Sequence, residues 1–171
     1  KQDNYAERTA DRTPSGGIAY KAVDGVAVKG IEAELSGELA PGWQVHAGYT
    51  HKVARLDGHK TSTIEPEDQF LLSTTYSLQG ALQGVSLGAS ARWQSKIWDD
   101  VNHPINGYTA HTAPAYWVAD LSARYQINRN LSASLHINNL FDKKYYTLMS
   151  IYDVYSWGAP RSYTVNMRYD F

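Results

Sequence analysis

The final ten residues of the chain alternate in character. Phe171, Tyr169, Met167, Val165 and Tyr163 are apolar or aromatic, and Asp170, Arg168, Asn166, Thr164 and Ser162 lie between them. A period of two marks a strand whose two faces meet different surroundings. The same pattern recurs upstream. Ile31, Ala33, Leu35, Gly37 and Leu39 oppose Glu32, Glu34, Ser36 and Glu38. Trp43, Val45, Ala47, Tyr49 and Val53 oppose Gln44, His46, Gly48, Thr50 and Lys52. Phe70, Leu72, Thr74, Tyr76 and Leu78 oppose Ser73, Thr75 and Ser77. Val85, Leu87, Ala89, Ala91, Trp93 and Ile97 oppose Ser86, Ser90, Arg92, Gln94 and Lys96. Trp117, Ala119, Leu121, Ala123, Tyr125 and Ile127 oppose Asp120, Ser122, Arg124 and Gln126, and Leu131, Ala133, Leu135 and Ile137 oppose Ser132, Ser134, His136 and Asn138.

The pattern predicts seven strands and a weaker eighth, around 18–24 or in the first few residues. No segment carries a helical period, and Gly and Pro punctuate the strand ends. The connections at 40–42, 79–84 and 128–130 are short. Those at 57–66, 98–114 and 143–157 are long and polar. Short and long alternate, so an antiparallel meander would gather tight turns at one end and long loops at the other. Outer-membrane barrels have this asymmetry.

Bulk composition alone points elsewhere. The 171 residues suit one domain, the formal charge is −1 and cysteine is absent. That excludes a basic field for nucleic acid, disulfides and thiolate metal sites. No apolar run approaches the roughly 18 residues of a membrane helix. The first residues lack the pattern of a secretory leader. Lys1 to Asn4 reads as the interior of something longer, so a missing upstream portion is expected. The aromatic content changes the picture: 13 Tyr and 5 Trp stand against 3 Phe and 2 Met. Tyr and Trp favour boundaries between apolar and wet surroundings.

Alternating strands are also the mark of a soluble β-sandwich. Three features favour a membrane barrel instead. Lys29 is the one formal charge read on the apolar rows, as expected where a Lys or Arg at midplane costs about 2–4 kcal/mol. Aromatics gather at the row ends: Trp43, Tyr76, Tyr125, Tyr169 and Phe171 near the tight turns, and Trp93, Trp117 and Tyr163 near the long loops. Trp117 and Tyr125 are eight steps apart, which at ~3.3 Å per residue and strong tilt rises on the order of 20 Å, close to the apolar band between two girdles. The middles of the rows hold Ala, Leu, Val and Gly, smoother than an interlocking core requires. The expected fold is all-β: an antiparallel up-and-down transmembrane β-barrel, present as about eight C-terminal strands. The terminal aromatic would then sit at the periplasmic interface.

Particular stretches carry a resemblance. "NLFDKKYY" (139–146), "GAPRSYTV" (158–165) and Phe171, with "VKGIEAELSGELAPGW" (28–43) and "EPEDQFLLSTTY" (65–76), resemble the C-terminal barrel of TonB-dependent outer-membrane receptors. The details are most similar to the ferric-hydroxamate and ferripyoverdine branch. The resemblance implies that residues 1–171 are the C-terminal part of a barrel of about 22 strands with a plugged lumen. The plug, the upstream strands and the region that contacts TonB would lie outside this stretch. It further implies a receptor and transporter, not an enzyme, in the outer membrane of a Gram-negative cell. Its cargo would be a ferric siderophore, with no resident cofactor or metal. Its partners would be TonB, its own plug and outer-membrane lipid, with no nucleic acid.

Several residues are candidates on their chemistry. Trp98, Tyr108, Tyr152, Tyr155 and Trp157, in or beside the long loops, are the candidate ligand-binding residues, because flat aromatics line pockets at low entropic cost. Glu32, Glu34, Arg92, Asp120, Arg124 and Arg168, on the polar rows, are expected to face the lumen and hydrogen-bond the plug. Gly84 to Gly88 fits G-x-S-x-G, which would make Ser86 the nucleophile of a small outer-membrane lipase, but the required helix does not follow. His51, His59, His103 and His111 match no ligand spacing, and "WDDVNH" (98–103) lacks the pattern of a calcium loop. A β-bulge is expected at Asn138 and Asn139. Arg161 is expected either to tie its loop to a wall carboxylate or to face water. A soluble sandwich that binds carbohydrate is the remaining rival.

Overall fold

The structure is a computed structural model that describes residues 5–23, 25–56, 58–61, 64–103, 107–149 and 154–171. In chain order the strands are β1 (Tyr5–Arg12), β2 (Ile18–Val23), β3 (Ala27–Ala40), β4 (Trp43–Leu56), β5 (His59–Lys60), β6 (Asp68–Ser77) and β7 (Val85–Gln94). There follow β8 (Ile97–His103), β9 (Gly107–Ala113), β10 (Tyr116–Gln126), β11 (Leu131–Asn138), β12 (Tyr146–Met149), β13 (Val154–Trp157) and β14 (Ser162–Tyr169). The one helical piece among the described residues is a 3₁₀ turn at Gly80–Leu82.

Seven long strands form one antiparallel meander in the order β3-β4-β6-β7-β10-β11-β14, and the short β5 pairs with β4. The tight turns fall at one end as the spacing predicts. At the first of them Gly42 has φ +79, and a Cβ there would lie 2.8 Å from the Ser77 carbonyl oxygen. Its N–H donates to Glu38 Oε1 at 2.7 Å. At the β10–β11 turn, the Asn128 carboxamide oxygen accepts from the N–H groups of Asn130 and Leu131, each at 2.9 Å. Such a side-chain bond mimics a backbone turn.

The weaker strand and the long connections differ from expectation. Residues 18–23 form a strand, but it pairs with β1 in a separate hairpin and not with the sheet. The stretches 98–114 and 143–157, expected as long polar loops, are built around the hairpins β8–β9 and β12–β13. These hairpins meet each other, as at Ile97, Ala113 and Tyr146, and not lipid on one side and lumen on the other, so the alternation of the wall strands does not extend through them. Against β14, β11 pairs in unbroken register up to Asn138. Against β10 the register slips by one residue at Asn139, as the expected bulge would have it, because Leu140 donates its N–H to the Ala119 carbonyl at 2.8 Å and Asn139 turns aside with φ +50.

The two faces of the sheet are unlike. The polar row lines a trough of about 510 Å³, whose walls include Thr75, Ser86, Ser122, Ser134, His136 and Arg168. The apolar row is left open. Ile31, Leu35, Val165 and Met167 each expose about two thirds of their surface or more (69%, 66%, 71% and 69%). No second layer covers it among the described residues. A sandwich buries such stripes against each other, so that reading is excluded. The apolar cluster that is buried, Ile97 and Ala113 with Ile64 and Tyr146 packed on it, lies in the long-loop region. The strand edges of β3 and β14 are each paired on one side only within the described residues.

Candidate functional site

The long-loop end holds a hydrogen-bonded knot. Asn139 is 3% exposed. Its carboxamide nitrogen donates to the carbonyls of Lys143 (2.9 Å) and Ala159 (3.0 Å), and its carboxamide oxygen accepts from the Lys143 N–H at 2.8 Å. Its own N–H donates to Asp120 Oδ1 at 2.7 Å, while Asp120 Oδ2 accepts from the Ser90 hydroxyl at 3.2 Å. Asp142, also at φ +50, accepts the Arg161 N–H on Oδ1 at 3.0 Å. The Arg161 guanidinium donates to the Leu140 carbonyl at 3.3 Å. Residues 139–143 are thereby fastened both to the wall and to the start of β14. Asp120, on the inner row as expected, ties its own wall to this turn. Arg161 meets no wall carboxylate among the described residues: its backbone N–H bonds Asp142 and its guanidinium the Leu140 carbonyl, both in the turn after β11.

Beside the knot, Tyr145 lies against the inner row. Its ring stacks on Tyr116 with centroids 4.3 Å apart and planes at 28°. Gly158 closes the other side: a Cβ there would fall 2.0 Å from the Tyr145 ring, so only glycine lets the ring sit. Arg92 Nη2 donates to the Tyr145 hydroxyl at 3.0 Å. The Gly158 N–H donates to the Tyr145 carbonyl at 2.9 Å. Neither Tyr116 nor Tyr145 was among the candidates. The signal for Tyr116 was available: in "AYW" it is an aromatic on the polar row, next to Trp117 on the apolar one.

The loop aromatics are brought together in part. Tyr146 meets Tyr155 edge-on at 4.9 Å and Trp157 at 5.3 Å, and Tyr155 lies 6.4 Å from His111. Trp157 is 69% exposed. Trp98 lines a small hollow with Lys52, Ala54, Glu65 and Pro66. Tyr108 falls in β9, where the backbone alone is described, and Tyr152 lies outside the described residues.

Of the remaining lumen candidates, Glu34 lies 3.6 Å from His46 on the same face. Arg124 donates to Gln126 at 3.3 Å and Arg168 to Asp170 at 2.9 Å, both near the tight turns. Glu32 pairs in register with Thr50. On the opposite face the expected aromatics stand at both ends of the rows. Trp43 meets Tyr76 edge-on at 6.4 Å and donates its Nε1–H to Thr74, while Tyr169 meets Phe171 at 5.0 Å. At the other end, Phe70, Trp93 and Trp117 are consecutive cross-strand partners, and Phe141 packs on Trp117 at 5.2 Å. Tyr125 and Tyr163 are exposed on that same face.

Lys29 is not the one charge on the apolar rows. Asp68 shares the row of Phe70, two residues further towards the long loops, where His51 and Tyr49 both hydrogen-bond its Oδ1 at 2.7 Å. Counting that row from Phe70 leaves Asp68 out.

The catalytic rival has no support in the geometry. Ser86 sits within β7 after a turn, with no helix behind it, and its hydroxyl lies 3.2 Å from that of Ser77. No group of three His, Asp or Glu side chains placed to hold a metal occurs among the described residues.

Comparison with known proteins agrees with this geometry. The sequence profile of the family described as "TonB dependent receptor-like, beta-barrel" matches residues 1–140. The chain belongs to that family. It is 48% identical over 99% of its length to the ferripyoverdine receptor of Pseudomonas aeruginosa, and 32% identical over 98% to the catecholate siderophore receptor Fiu of Escherichia coli K12. It spans about a fifth of each of these relatives, 22% of their length. The crystal structure of the ferripyoverdine receptor of the Pseudomonas aeruginosa outer membrane bound to ferripyoverdine superposes with a TM-score of 0.88 at 46% identity. That match covers 99% of this chain and 23% of the other. This part of a TonB-dependent receptor is thus an antiparallel barrel segment, and the knot and the Tyr145 seat belong to its long-loop rim.

Proposed function

We propose that these residues are the C-terminal wall of an outer-membrane receptor that takes up a ferric siderophore of the pyoverdine kind, energised by TonB. The observation that carries this is the 48% identity to a ferripyoverdine receptor along 99% of the chain. The physical features agree with it. The open apolar row suits lipid, and its terminal aromatics suit the two interfaces. Trp43, Tyr76, Tyr125, Tyr169 and Phe171 form the girdle at the periplasmic side, where the C-terminus lies. Trp93, Trp117 and Tyr163 form the outer one. The polar trough faces the lumen, where Glu32, Glu34, Arg124 and Arg168 hydrogen-bond the plug. Tyr155 and Trp157, with Trp98, Tyr108 and Tyr152, contribute to the outward vestibule.

The test uses the full-length receptor in a Gram-negative host lacking its own pyoverdine receptor. Ferripyoverdine labelled with radioactive iron should enter the cells, and loss of TonB should stop entry while surface binding persists. Uptake of a ferric catecholate but not of ferripyoverdine would overturn the substrate, and uptake that ignores TonB would overturn the mechanism.

A further inference from the structure

Below the loops, four neighbouring strands bring Thr50, Gln69, Arg92, Gln94 and Tyr116 round a hollow of about 350 Å³. That volume lies within the range of small-ligand sites. Phe70, Leu71 and Trp93 also line it, and the polar part of the lining offers one cation, two carboxamides and two hydroxyls. Within the described residues no carboxylate pairs with Arg92, and its side-chain partner is the Tyr145 hydroxyl. A guanidinium has five N–H donors, and Arg92, with one of them on Tyr145, lines the hollow. Tyr145 is itself wedged between Tyr116 and Gly158, so the group that steadies Arg92 is fixed. A steadied guanidinium with open donors, flanked by carboxamides, is suited to grip an oxygen-bearing anion with two parallel bonds.

We propose that this hollow is a subsite for an anionic, oxygen-bearing group of the transported iron(III) chelate. Arg92 makes the contact, and Tyr145 is a positioning residue that holds the guanidinium. This rests on the reading that the intact receptor takes up such a chelate, whose iron-binding oxygens carry negative charge. A carboxylate of the receptor's own plug is the competing occupant. The hollow lies at the long-loop end, under the aromatic loops through which cargo arrives, and this favours the chelate.

The experiment uses the full-length receptor in lipid nanodiscs, with ferripyoverdine and a synthetic ferric tris-catecholate as probes at low and high salt. Loss of one charge-assisted contact is expected to weaken binding about tenfold to a hundredfold for Arg92→Gln. It should also flatten the salt dependence of Kd, because a screened charge pair has been removed. Arg92→Lys should restore the salt dependence but only part of the affinity, and Tyr145→Phe should weaken binding severalfold with the salt dependence intact. Unchanged affinity and salt dependence in Arg92→Gln would overturn the subsite while leaving the receptor reading in place. Faster hydrogen exchange in the plug with chelate affinity unaltered would assign Arg92 to the plug and equally overturn it. Failure of the unmodified receptor to bind either chelate would remove the receptor reading itself, and this proposal with it.

Discussion

The spanning sheet and the long-loop rim are held together by different means. Within the sheet, β3 to β14 are joined by backbone ladders, and the large apolar side chains point outward with no second layer over them among the described residues. At the rim the order is reversed. Side chains are buried, Asn139 satisfies all its carboxamide groups, Tyr145 is wedged, and a small apolar cluster forms round Ile97 and Ala113. The difference follows from the solvent. A wall that stands in hydrocarbon needs only to satisfy its backbone and present grease. A rim that stands in water has to build its own core and tie its own loops.

The sharpest way to break this comparison is to place a charge on each face of one strand. Leu121 lies midway between Trp117 and Tyr125 on the apolar row, and Ser122 is its neighbour on the polar row. Leu121→Lys should destabilise the receptor in lipid vesicles by about 2–4 kcal/mol, the cost of a cation at the bilayer midplane. Ser122→Lys should cost little. Equal costs in an unfolding titration would mean that the two faces do not meet different media.

Next in size is the loss of the knot. Asn139→Ala removes three side-chain hydrogen bonds and puts a Cβ residue at φ +50 without the local bonding that suits Asn there. About 2–4 kcal/mol of local stability should go, since three backbone groups lose the side chain that pairs them. Hydrogen exchange should rise at the amides of Leu140, Lys143 and Arg161, while the ladders near the tight turns keep their protection. A uniform rise over the whole sheet would show that wall and rim are one cooperative unit. Smaller again is Gly158→Ala. Its methyl group must push the Tyr145 ring off Tyr116, at a cost of about 1–3 kcal/mol as an overpacked contact. Protease should then cut within residues 143–157 more readily, and a cutting rate equal to that of the parent would argue against the wedge.

The same contrast explains what could be read from the sequence. The wall was legible because each residue's face is fixed by parity, and two unlike media write alternation into every strand. That is why the tight turns and the pairing order came out as expected. Parity names a face and not a partner, however. Asp120 is on the inner row as read, but its partners are Ser90 and the Asn139 N–H. The rim was legible only through the resemblance of "NLFDKKYY" and "GAPRSYTV". That these two stretches touch, through bonds such as Asn139 to Ala159, is a long-range fact that no local pattern encodes. The hairpins β8–β9 and β12–β13 went unread because their strands are not built on one apolar row against one polar row: β12 and β13 read YTLM and VYSW, four residues each. Arg92 was placed on the correct row, but Tyr145, which steadies it, lies 53 positions away.

The smallest effect is the most informative about the proposed contact with a plug. Arg124 lies on the inner row near the tight turns, lining the trough, with a neutral Gln126 as its side-chain partner. No carboxylate pairs with it within the described residues, so a charge reversal there disturbs little of the wall itself. If the plug places a carboxylate or a row of carbonyls against it, Arg124→Glu in the intact receptor should replace attraction with repulsion. An exposed pair is worth only about 0.2–1 kcal/mol, so the wall should melt as before while hydrogen exchange in the plug quickens severalfold. Arg168 beside it is already paired with Asp170, and Arg168→Glu should disturb the plug less. Plug protection that stays the same in both variants would count against wall charges as its anchors, and would leave the trough to water.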